Sequence, residues 1–127
     1  MLVKLFTAAV NGLDVRTVEA EVNISKGAKF SLVGLPDSAV RESYYRIKTA
    51  LHNSGFVLPT NQITINLAPA DVRKTGPVYD LPVFVGIMAA QGKLPAPGSE
   101  RAFLGELGLD GTLRPVTGVL PMALAAV

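Results

Sequence analysis

Apolar and polar positions alternate along the first quarter of the chain and then change period. Val18, Ala20, Val22 and Ile24 alternate with Glu19, Glu21, Asn23 and Ser25, which predicts a strand with one solvated face. Before it, residues 2–10 read as a strand ending at an Asn11-Gly12 turn. After it, Ser25-Lys26-Gly27 turns the chain into a short buried strand over residues 30–35. These three segments predict an antiparallel three-stranded opening. From Pro36-Asp37-Ser38 the period lengthens. Val40, Tyr44, Ile47 and Leu51 recur at helical spacing, with Ala39, Ser43 and Ala50 completing the core face. Asp37 or Ser38 can accept from the free N–H groups at its start, and Ser54-Gly55 supplies its stop.

Ile63, Ile65 and Leu67 then alternate in a strand that ends at Ala68-Pro69. A basic loop over residues 71–77 leads to a second helix, about residues 79–91, where Asp80 is placed to cap and Pro82 falls in a first turn. Leu81, Val83, Phe84, Val85, Ile87 and Met88 make that helix apolar nearly all round, so it should be buried. Residues 103–107 and 113–116 flank Asp110-Gly111, a pair suited to a tight turn needing positive φ, and predict a hairpin. Residues 122–127 look like the first turns of a third helix. The expectation is a fragment of a longer protein, with residues 1–127 as one domain.

Composition narrows the class. Of 127 residues, 49 % are hydrophobic and 17 % charged, the balance of a folded domain with a real core. Cysteine is absent, which excludes disulfides and cysteine-ligated zinc. Lys4 interrupts the first apolar run, and no run reaches the ~18 residues of a membrane span. The chain reads as cytoplasmic, with no membrane partner. A formal charge of +2 does not identify a nucleic-acid partner, so any basic surface must come from uneven distribution.

Two basic features offer that unevenness. Arg41, Tyr45, Lys48 and His52 form a stripe opposite the core face of the first helix, with Arg46 beside it. Arg73-Lys74 occupies the loop before the second helix. Cations interleaved with an aromatic suit phosphate contact and base stacking on single strands. Glu106 mimics a catalytic acid within an apolar strand, but pairing with Arg114 across the hairpin is the expected arrangement. His52, the only histidine, leaves metal chemistry little to build on.

The order β-β-β-α-β-α-β-β-α suits a two-layer α/β sandwich (α+β) of the ribosomal protein S5 domain 2-like type, which includes Lon-type proteolytic domains. The hairpin run from Leu104 to Gly118 looks like the corresponding Lon hairpin. Phe30-Ser31-Leu32-Val33-Gly34-Leu35-Pro36, Ile65-Asn66-Leu67-Ala68-Pro69-Ala70-Asp71 and Asp80-Leu81-Pro82 sharpen the likeness. With the hairpin they closely resemble the N-terminal domain of the magnesium-chelatase-like AAA+ ATPases of bacteria, the ComM/YifB-type competence proteins. The resemblance runs from about Leu2 to the end of the chain. It implies a Lon-like domain over residues 1–127 that precedes a AAA+ module. ATP and Mg2+ would bind in that module and no cofactor in this domain. It further implies self-association into a hexameric ring and a motor acting on DNA in recombination or competence, as in helicase action or branch migration.

The same resemblance tests for an active site. A Lon-type protease needs a serine nucleophile and a lysine base within hydrogen-bond reach. The family serine follows a Gly-Pro, and after Gly76-Pro77 stands Val78. The lysine position after the hairpin falls on Leu120. Neither residue can perform the chemistry, so the domain is expected to be catalytically inert. The phosphate loop Gly-x-x-x-x-Gly-Lys-Ser/Thr is also missing, because the glycine near Lys74-Thr75 comes after the lysine. Two other classes bear on the reading. An ATP-dependent Lon-type protease is opposed by Val78 and Leu120 and is testable by casein degradation. A stand-alone nucleic-acid-binding module would be excluded by a Walker A motif beyond Val127.

Overall fold

A computed structural model describes residues 1–11, 14–98, 100–116 and Val119. The expected Asn11-Gly12 turn reaches residue 12, and the expected third helix and Leu120 lie past the hairpin. All of these fall outside the described residues, in Asn11's case for its side chain.

β1 (Leu2–Asn11) and β2 (Asp14–Ser25) form a long antiparallel ladder from Leu2↔Asn23 to Asn11↔Asp14. β3 (Phe30–Val33) does not join β2. The sheet order is β1-β2-β4-β3, with β4 (Gln62–Ala68) inserted antiparallel to β2 and parallel to β3. The antiparallel three-stranded opening is thus corrected. The physical reason is the intervening helix: a strand–helix–strand connection favours a parallel pair, and β4 satisfies β2 over a longer ladder than β3 could offer.

β3 stops two residues earlier than its apolar run. Gly34 takes φ +109° and Leu35 φ +56°, which breaks the extended backbone. Val3, Leu5, Val18, Ala20, Val22, Ile63, Ile65 and Leu67 line one face of the sheet and are buried. The opposite face carries Lys4, Glu21 and Asn66, where the Asn66 amide donates to Glu21 Oε1 at 2.7 Å.

The first predicted helix is present as α1 (Ser38–Arg41) and α2 (Ser43–Asn53), joined through Glu42. Asp37 caps it as expected, its Oδ1 accepting from the Val40 amide at 2.8 Å. The Ser43 hydroxyl donates to the Val40 carbonyl at 2.7 Å. Such back-bonding competes with the helical ladder and accounts for the interruption. Val40, Ser43, Ile47, Ala50 and Leu51 are buried, while Ala39 and Tyr44 are half-buried.

A 3-10 turn (Pro77–Tyr79) leads into α3 (Asp80–Ala90), which packs across β1 and β2. Its burial follows from its all-round apolarity. Asp80 does not cap it; its carboxylate has another use, described below. The hairpin is shorter than its sequence run, with β5 (Glu106–Leu107) paired to β6 (Leu113–Arg114). Gly111 turns it at φ +88°. Asp110 accepts from the Thr112 hydroxyl and amide, which holds its carboxyl below the usual range. The architecture is a mixed two-layer α+β domain with its helices on one face of the main sheet.

Candidate nucleic-acid interface

The helical stripe faces solvent where the sequence placed it. Arg41, Lys48 and His52 are exposed, and Tyr45 is 67 % exposed. Aromatic contacts stiffen its middle. Tyr44 packs on Phe30 with ring centroids 4.6 Å apart and meets Tyr45 edge-on at 5.1 Å. The Lys48 ammonium lies 5.7 Å from the Tyr44 ring centroid, a cation–π geometry that keeps its charge over an aromatic platform.

Arg46 leaves this surface. Its Nε donates to Asp80 Oδ2 at 2.6 Å, and Nη2 donates to Asp80 Oδ1 at 2.9 Å and to the Ala39 carbonyl at 2.6 Å. Hydrogen bonding to Asp80 holds the guanidinium firmly charged. Asp80 is fully buried and also accepts from the Leu107 amide at 3.1 Å. Burial nevertheless pushes its carboxyl up, against the pull of these donors. The pair ties α2, α3 and β5 together. A buried acid at the start of α3 requires a cationic partner, and that requirement was the signal available in the sequence.

Lys74 is likewise a structural residue and not an exposed phosphate contact. It is fully buried, and its ammonium donates to the Pro69 carbonyl. Its main chain bridges to the turn between β3 and α1, donating to the Leu35 carbonyl at 3.0 Å and accepting from the Asp37 amide at 3.0 Å. Asp37 Oδ2 accepts from the Gly76 amide at 3.1 Å, a second stitch between the same segments. Of its two cations the loop therefore offers only Arg73 to solvent, on a segment anchored to the turn before α1.

Burial pushes the Lys74 ammonium below its ordinary value, with Asp71 opposing. An amine that folding depresses is protonated more readily in the unfolded chain. Stability should therefore rise with pH between the folded value and the unfolded value near ~10.4. Thermal unfolding of the wild type and of Lys74→Met over a pH series checks this. The stability difference between the two proteins should move in favour of the wild type as pH climbs through that window. A pH-independent difference would contradict the assignment.

Val78, which the resemblance aligns with the Lon nucleophile, is buried at the start of the helical run, while Leu120 lies outside the described residues. Beside Val78, burial pushes the Tyr79 phenol up, and the charge of Asp37 adds to the shift. Glu106 and Arg114 do face each other across the hairpin, at 4.0 Å. Among the described residues, no cluster of His, Asp or Glu could hold a metal ion, and no helix is long and apolar enough to cross a membrane.

Residues 20–127 match the family described as subunit ChlI of Mg-chelatase. The chain is 44 % identical to the competence protein ComM of Haemophilus influenzae over 96 % of its own length and 24 % of that protein. It is 42 % identical to the Escherichia coli protein YifB over 95 % of its length, covering 24 % of the relative. An uncharacterized Mycobacterium tuberculosis protein is 45 % identical over 97 % of this chain and 25 % of its own length. The chain thus spans about a quarter of the length of these curated relatives.

Proposed function

The chain belongs to the magnesium-chelatase-like family of ComM/YifB type, and from that premise we propose that it is a non-catalytic Lon-like domain of a DNA-acting AAA+ motor. The observation that carries the reading is the 44 % identity, across nearly the whole domain, to a protein named for competence. Val78 in the nucleophile position supports an inert domain. ATP and Mg2+ would bind in a AAA+ module of the longer protein, which would assemble as a hexameric ring. The domain's part is to help form the ring, position the ATPase modules and guide DNA across Arg41, Tyr45, Lys48 and Arg73. No base-reading element accompanies these groups, so the contact is with phosphates and base faces.

Binding by the domain alone is expected to be weak, salt-sensitive and indifferent to sequence. Three phosphate contacts give a slope of log K against log salt of about −2 to −3. Ring assembly multiplies such contacts through effective concentration. Fluorescence anisotropy with single- and double-stranded DNA at two salt concentrations checks this, using wild type and the triple variant Arg41→Ala/Lys48→Ala/Arg73→Ala. In the full-length protein the variant should bind more weakly and with a shallower slope. Arg46 and Lys74 are left intact because their removal would disturb the fold. Unchanged full-length binding would return these residues to ordinary solvated surface.

A further inference from the structure

Leu35 serves no purpose in the core. Among the described residues it is the one non-glycine residue with positive φ, at +56°, although a residue before proline is ordinarily extended. Glycine or asparagine adopts that left-handed conformation at less cost. Packing does not explain the leucine, since its side chain is 53 % exposed, while Phe30 and Leu32 of the same run pack against the core. A strained residue that folding does not explain points to a role at the surface.

The turn that carries Leu35 is braced on both sides. Gly34 lies so close to β4 that a Cβ there would meet the Leu67 carbonyl oxygen at 2.2 Å. The Leu35 carbonyl accepts from the Lys74 amide, and the Lys74 carbonyl accepts from the Asp37 amide, each at 3.0 Å. The result is a rigid apolar tip, and the free charge of the braced segments has one sign. Their acids are engaged: Asp37 accepts from the Val40 and Gly76 amides, Glu42 faces Arg46 at 3.9 Å, and the charge of Asp71 acts on Lys74. Arg41 and Arg73 are exposed, and among the described residues neither has a carboxylate within ion-pair distance. A leucine tip with arginines on its neighbouring segments has the chemistry of a wedge that opens a base step, where cations hold phosphates and the apolar side chain enters the stack. A protein pocket would need a matching apolar surface, whereas a duplex offers one at every step.

We infer that Leu35 inserts between stacked base pairs of duplex DNA while Arg41 and Arg73 hold nearby phosphates, an inference that rests on the DNA-acting reading above. Leu35→Gly and Leu35→Asn remove the tip and still accept the left-handed turn. The full-length protein, without nucleotide, is titrated into a duplex carrying 2-aminopurine, whose fluorescence rises when its base unstacks. Burying one leucine and unstacking one base step are similar in size and opposite in sign, so duplex affinity should change by less than about tenfold and the fluorescence carries the result. The wild type should brighten the duplex, and both variants should bind it and leave it dark. Their thermal midpoints should equal or exceed that of the wild type, because backbone strain is relieved. Equal brightening by the variants, or wild-type binding without brightening, would overturn the wedge and leave the DNA reading standing. No duplex binding by the wild type would overturn both. A lowered midpoint in both variants would make Leu35 a packing residue, and smaller assemblies of the variants in sedimentation velocity would make it a contact between copies. Either result would also overturn the wedge.

Discussion

Gly34→Ala is expected to cost about 3–5 kcal/mol, a large part of the ~5–15 kcal/mol that holds a domain of this size folded. Two independent penalties combine. Gly34 sits at φ +109°, where a side chain strains the backbone by ~1–3 kcal/mol. An added Cβ would also stand 2.2 Å from the Leu67 carbonyl oxygen and 2.9 Å from its carbon. Both atoms belong to the backbone of β4, so no rotamer change relieves the clash and the ladder itself must shift. Gly55→Ala is the control, because Gly55 has φ +86° with nothing within 4 Å of the added carbon. It should lose only the conformational share. Urea denaturation of both variants measures the difference, and equal losses would show that the approach of β3 to β4 is not tight.

Arg46→Ala should be nearly as damaging, at about 3–5 kcal/mol, because it strands the Asp80 carboxylate in the interior. Asp80 has no exposure to solvent, and its remaining donor would be the Leu107 amide. The double variant Arg46→Met/Asp80→Leu removes both charges and should recover much of the loss, leaving mainly the cost of an unpaired Leu107 amide. A double-mutant cycle by equilibrium unfolding gives the coupling. The same variants separate structure from binding. If Arg46 acts only through Asp80, the DNA affinity of Arg46→Ala should match wild type under conditions where the variant remains folded. If the loss in Arg46→Met/Asp80→Leu equals the sum of the losses in Arg46→Met and Asp80→Leu, the two side chains do not act as a pair.

The elements were readable because period and burial coincide in this chain. Val18, Ala20 and Val22 alternate and all point to the core, and α3 is apolar all round and sits on the sheet. Strand neighbours were less readable. Alternation says which residues face inward but not which strand lies beside which, and β3 needed the rule that a helical crossover joins parallel strands. For the candidate site, the exposure of its cations was half legible. Arg41, Tyr45 and Lys48 are exposed as their spacing opposite the core face required. Arg46 and Lys74 were misplaced because a cation reads as surface unless its internal partner is identified. For Arg46 that partner is Asp80, thirty-four positions away at the start of α3, where a carboxylate ordinarily serves as a helix cap. For Lys74 the acceptor was a backbone carbonyl, which carries no sequence signal at all.

The sheet order also sets a timetable for synthesis. β1 and β2 are adjacent in the chain and can close on each other as soon as both have emerged. β3 emerges next, yet its ladder partner runs to Ala68, thirty-five residues after Val33. At ~5–20 residues per second the ribosome needs about 2–7 s to supply it. During that interval Phe30 and Leu32 have no strand to pair with, and the open side of β2 is equally unclaimed. β4, once present, serves both neighbours, β2 along Glu19–Ser25 and β3 along Phe30–Val33, so the sheet cannot close until its last strand has emerged.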